Sequence, residues 1–172
     1  MTKKKSPVYI ECESGGKSKD ELLVDIDSNG MFVSDHAKGL MSQEVWQTGK
    51  REMVKFARAK VSDLGFREMP TTNELWARIR DLGHSLCEPY DGPALRIALK
   101  DEPEGDVCLI AMEQIISPYR LPRLMGVGPC PEIFVLHRYS HNGERILNSM
   151  WVDSLERWPL RDHRRFMFRL SK

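Results

Sequence analysis

Ile133-Phe134-Val135-Leu136-His137-Arg138-Tyr139 and Arg145-Ile146-Leu147-Asn148-Ser149-Met150-Trp151-Val152 are two runs rich in β-branched and aromatic residues, separated by a turn at His141-Asn142-Gly143. Asn-Gly tolerates the positive φ angles of a tight turn, so the stretch reads as a β-hairpin. Strands joined by so short a turn run antiparallel, because a parallel neighbour needs a crossover of about a dozen residues or more.

Working outward, two further stretches read the same way. Leu22-Leu23-Val24-Asp25-Ile26 and Met31-Phe32-Val33 flank Asp27-Ser28-Asn29-Gly30, and Ala94 to Leu99 and Asp106 to Met112 flank the acidic turn Asp101-Glu102-Pro103-Glu104-Gly105. Val8 to Glu13 supplies an opening strand, followed by a polar connector from Gly15 to Asp20, and Phe166 to Leu170 supplies a closing strand. From Ser42 the period changes: Trp46, Met53, Val54, Ala57, Val61 and Leu64 recur at helical intervals, and Gly65-Phe66 offers a left-handed stop. A second helix starts at Thr71, where Glu74 three residues on completes a capping box, and Leu75, Ile79, Leu82 and Leu86 give it an apolar side. The six residues between these helices exceed the turn of a DNA-reading helix-turn-helix. The expected fold is α+β: an antiparallel sheet of about five to seven strands, three hairpins plus a C-terminal strand, with two helices packed on one face.

A chain of 172 residues with 41% hydrophobic and 30% charged residues and a net charge of +1 can bury one continuous core. One domain is expected across residues 1–172, with a disordered basic start at 1–6. No run reaches the roughly 18–20 apolar residues of a membrane helix, and the basic start lacks the apolar core of a signal peptide. The expected location is therefore the cytoplasm, with no membrane partner. Cys12, Cys87, Cys108 and Cys130 are irregularly spaced and read as free thiols.

His137-x-x-x-His141, with Cys130 and His163 on either side, could supply zinc ligands. The spacing sits in a strand and its turn, whereas an i,i+4 metal pair depends on a helix to align both rings. His84-x-x-Cys87 offers a base beside a thiol, but no third orienting group or oxyanion donor is legible. Arg123-Leu124-Met125-Gly126-Val127-Gly128 resembles, over six residues, the cofactor-pyrophosphate loop of the acetyltransferase family. In that family the loop opens a helix. Here Pro129 and Pro131 follow, which removes the amides that would hold phosphate, and the match implies no cofactor. The surrounding stretch Ser117 to Pro131 is the longest without periodicity, the kind of loop that carries function on a rigid scaffold.

A charge asymmetry remains. The acidic turn at Asp101–Asp106 contrasts with a C-terminal segment in which Arg157, Arg161, Arg164, Arg165 and Arg169 are interleaved with Trp158, His163 and Phe168. Such a mixture can neutralise phosphates and stack on bases or on a partner's rings. The functional expectation is a non-catalytic accessory module, without cofactor, that binds nucleic acid or a protein that handles it through this segment. Two alternatives stand beside it: a metal-assisted hydrolase or nuclease using His137, His141 and carboxylates such as Glu132 or Glu144, and an inhibitor or adaptor that docks its acidic turn on a basic partner.

Overall fold

Eight strands and four helices follow one another in the computed structural model, which describes residues 7–118 and 130–171. The expectation for residues 1–6, and most of that for the proline-glycine stretch, falls outside the described residues. The elements are β1 (Ile10–Ser14), α1 (Lys19–Ser28), β2 (Phe32–Val33), α2 (Asp35–Met41), β3 (Glu52–Ala59), a 3₁₀ turn (Ser62–Leu64), α3 (Thr72–Asp81), α4 (Asp91–Ala98), β4 (Val107–Ile110), β5 (Ile115–Ser117), β6 (Cys130–Arg138), β7 (Arg145–Trp151) and β8 (Arg165–Arg169). No helix among the described residues is long and apolar enough to cross a membrane.

The strands form one curled sheet in the order β1-β3-β8-β4-β6-β7-β2, with β5 beside β6. The β6–β7 hairpin forms where the sequence places it, paired from Glu132↔Trp151 to Arg138↔Arg145. The expectation of a purely antiparallel sheet is overturned, because β2 runs parallel to β7 and β4 parallel to β8. Of the three expected hairpins only β6–β7 exists. β8 reaches β4 after a crossover that includes β6 and β7, and such a crossover permits parallel pairing where a tight turn does not.

The other two hairpins fail because one arm of each is helical. Residues 22–26 lie in α1, which Ser18 opens: its hydroxyl accepts from the Glu21 amide while the Glu21 carboxylate accepts from the Ser18 amide. Asn29-Gly30 ends that helix instead of turning a hairpin. Gly30 has φ +67°, its amide donates to the Asp27 carbonyl, and the Met31 amide reaches back to the Ile26 carbonyl in a Schellman closure. Residues 94–98 lie in α4, where Pro93 occupies the first turn and so displaces no helical hydrogen bond.

The long helix expected from Ser42 is instead strand β3, whose Val54 and Phe56 are buried while Met53 and Lys55 are exposed. Its Ala57 is buried as well, and residues at 46, 53, 54, 57, 61 and 64 mimic a helical stripe by chance of spacing. Gly65, at φ +86°, closes only the 3₁₀ turn. The helix expected at Thr71 is α3, with both arms of its capping box in place.

Four helices cover both faces of the sheet, not two on one face. α4 lies so close to β6 that a Cβ on Gly92 would stand 2.8 Å from the Phe134 ring, and α1 packs on α4. On the opposite face α3 sets Trp76 edge-on to Phe166, which Trp158 meets edge-on from the other side at 5.0 Å between ring centres. These aromatic contacts and the two faces of β3 and β8 make one continuous core.

Two glycines report on this geometry. Gly92→Ala is expected to cost about 1–3 kcal/mol by overpacking. Gly30→Ala should cost about 1–2 kcal/mol from left-handed strain, since nothing lies within 4 Å of its missing Cβ. Urea unfolding checks both; a Gly92→Ala midpoint equal to wild type would contradict the close approach of α4.

Candidate functional site

The basic-aromatic segment is built largely into the fold. Trp158 and Phe168 are core residues, and the Trp158 indole Nε1 donates to the Thr72 hydroxyl at 3.0 Å. Arg157 donates to the Met69 carbonyl at 2.8 Å, and Arg165 lies 3.5 Å from Asp106, which also receives Arg58. Arg164 grips Asp162 through Nε at 2.8 and 2.9 Å while its guanidinium covers the Trp158 ring. Burial pushes the Asp162 carboxyl up, but the bonds from Arg164 outweigh it and leave it below its ordinary value. Arg161 and His163 stay on the surface, His163 3.9 Å from Asp162.

The histidines of the alternative metal reading are separated by a ring. Tyr139 stands between His137 and His141, with centroid distances of 4.3 and 5.3 Å. Cys130 and His137 start and nearly end β6, about 23 Å apart at the usual strand rise. Glu132 and His137 are an odd number of positions apart and point to opposite faces. Glu132 is buried, accepting from the Ser149 hydroxyl at 2.5 Å with His36 Nδ1 at 3.9 Å, and Glu144 is exposed. Burial holds His137 below the ordinary imidazole value, with Asp106 pulling the other way. Among the described residues no three His, Cys, Asp or Glu side chains converge to hold a metal ion.

His84 and Cys87 part company too. His84 stacks on Phe168 at 5.4 Å, whereas Cys87 is buried with its thiol 3.5 Å from the Met167 carbonyl. Burial pushes Cys87 up, as it pushes Cys12 to about 11 and Cys108 to about 12. All three are protonated at neutral pH and lack the thiolate that nucleophilic chemistry requires. The acetyltransferase-like residues 123–128 lie outside the described residues.

The structure adds a feature absent from the sequence reading. Asp91, at the first position of α4, is fully buried and accepts four hydrogen bonds: Arg169 Nε at 2.6 Å and Nη2 at 2.8 Å, the Ser14 hydroxyl at 2.6 Å and the Glu88 amide at 2.7 Å. Arg169 also donates to Glu52 at 2.8 Å and lies over the Tyr90 ring at 5.6 Å. Burial alone would lower the Arg169 guanidinium; the bonds to Asp91 and Glu52 outweigh it and raise it instead.

This cluster fixes the ends of β1, β3 and β8 against residues 85–88, and there a groove of about 1050 Å³ opens. Its apolar surface includes Val8 and Met53, 52% and 56% exposed, with Leu86 and Leu170 half-buried. Glu11, Glu52, Glu88, Lys55 and Arg169 supply its charge. The only legible signals were Met53 and Lys55 in strand-like alternation with Val54 and Phe56, hidden because the stretch reads as helical. Comparison of the chain with protein-family models, curated proteins and solved structures finds no match.

Asp91→Ala is expected to destabilise the protein by about 3–5 kcal/mol, because it breaks a buried ion pair, leaving Arg169 with Glu52 alone and the Ser14 hydroxyl and Glu88 amide without their acceptor; urea unfolding measures it. A loss under about 1 kcal/mol would mean that the cluster does not hold the sheet end. For Asp162, whose folded carboxyl is lowered, the stabilisation is present above the ordinary carboxylate value and lost as pH falls through the lowered one. Wild type should therefore melt above Asp162→Asn at pH 7, and the gap should close on acidification. A pH-independent gap would refute the ion pair.

Proposed function

We propose that this chain is a non-catalytic binding module whose partner is a protein, taken at the groove beside Met53. The observation that supports this reading is the groove itself, whose 1050 Å³ gathers Val8 and Met53 into one concavity, whereas Val24 and Leu155, more exposed still, do not line it. Exposed apolar surface set in a concavity with a few charged groups is the usual form of a recognition site. The C-terminal segment fits this reading better as a scaffold than as a nucleic-acid surface, since Arg164, Arg165 and Arg169 already have carboxylate partners. A cytoplasmic setting agrees with the four cysteines, all free.

The test places photoreactive benzoylphenylalanine at Met53 and, as a control, at Val24, which is 63% exposed on α1. In the host cell a discrete adduct is expected from position 53 and none from 24. The attached peptide, identified by mass spectrometry and synthesised, should bind wild type and lose affinity for Met53→Gln. No adduct from either position would overturn the groove. Single-stranded oligonucleotide binding that falls with salt and weakens in Arg161→Ala would move the site to the C-terminal segment.

A further inference from the structure

The charges around the groove do not balance. Glu11 lies 3.9 Å from Lys55, and the two cancel across the β1–β3 pairing that sets them opposite one another. Arg169 receives Asp91 from behind as a two-pronged pair, so its charge is already neutralised before Glu52 adds a second carboxylate at 2.8 Å. Glu88 lies on the exposed rim and has no cation within ion-pair distance among the described residues. Among the described residues the groove therefore carries a net charge of about two negatives, with Glu52 and Glu88 as its outward carboxylates, beside the aliphatic surface of Val8, Met53, Leu86 and Leu170.

Resting on the groove reading above, we infer that the occupant is an aliphatic segment of a partner protein carrying lysine or arginine. Its apolar side chains cover Met53 and Val8, and its cations face Glu52 and Glu88. An acidic segment is rejected, because it would add like charge to a partly desolvated site. A neutral aliphatic segment satisfies the floor and leaves the excess negative charge unanswered. The cationic chains also suit a groove that opens to solvent, since their long apolar stems lie along the surface while their charged ends reach the rim.

The experiment titrates full-length protein with three labelled hexapeptides, acetylated and amidated, read by fluorescence anisotropy: Leu-Lys-Val-Arg-Leu-Lys, Leu-Gln-Val-Asn-Leu-Gln and Leu-Glu-Val-Asp-Leu-Glu. The basic peptide is expected to bind, at least tenfold more tightly than the acidic one, with affinity that falls as salt rises. Glu88→Gln should weaken it about two- to fivefold, the scale of an exposed ion pair, and leave the neutral peptide unchanged. Because Glu88 has no ion-pair partner among the described residues, that variant keeps its structure, which circular dichroism verifies. Equal affinity for basic and neutral peptides, or an unaltered Glu88→Gln, overturns the inference. If the Met53 cross-link then still identifies a partner, only the charge preference fails; if no peptide binds and no adduct forms, the groove reading fails with it.

Discussion

The two-pronged bond between Asp91 and Arg169 ties the start of α4 to strand ends that the sheet already sets side by side. Asp91 begins α4, Arg169 ends β8, Ser14 ends β1, Glu52 begins β3, and the Glu88 amide belongs to the connection before α4. A fully buried carboxylate is tolerable only when its acceptor sites are filled, and the four donors around Asp91 achieve that. The arrangement contributes geometry more than net stability, since well-packed apolar groups of similar volume could match its energy. What it imposes is the register of three strand ends against one helix.

That constraint explains why a groove can exist there. A sheet end left without a helix above it is a place where strands fray, yet β1, β3 and β8 are pinned from the α4 side by charge-assisted bonds. The groove opens beside this cluster and is lined by its Arg169 and Glu52 together with Met53 and Lys55. β1 is also one of the end strands of the sheet, a position exposed to pairing with another chain. Its outward side chains Glu11 and Glu13 face Lys55 and Arg51, so charge guards the edge.

A second buried ion pair, Arg96 with Glu102, follows the same logic at the other end of α4. Arg96 is fully buried, and its Nη2 reaches both Glu102 at 2.5 Å and the Leu99 carbonyl at 2.7 Å, folding the chain after α4 back on the helix. Burial pulls the Arg96 guanidinium down and Glu102 opposes it. The acidic turn is therefore partly an internal anchor: Glu102 holds Arg96, and Asp106 holds Arg58.

Some of this was legible in sequence because its causes are local. The Asn142-Gly143 turn, the Thr71–Glu74 capping box and the apolar run of β8 each rest on residues within a few positions of one another. Asn29-Gly30 was ambiguous for a physical reason, since a hairpin and a Schellman closure both need positive φ; the Ser18–Glu21 box was the signal that could have decided it. β3 was misread because both its faces are buried in part, which blurs the period of two. Sequence alone determined the apolar inventory, the caps and the one hairpin. Tertiary structure alone decided the sheet order and the fate of the arginines, because the partners of Arg169 stand 78 and 117 residues away, and pairing over such distances depends on the packing of the whole chain.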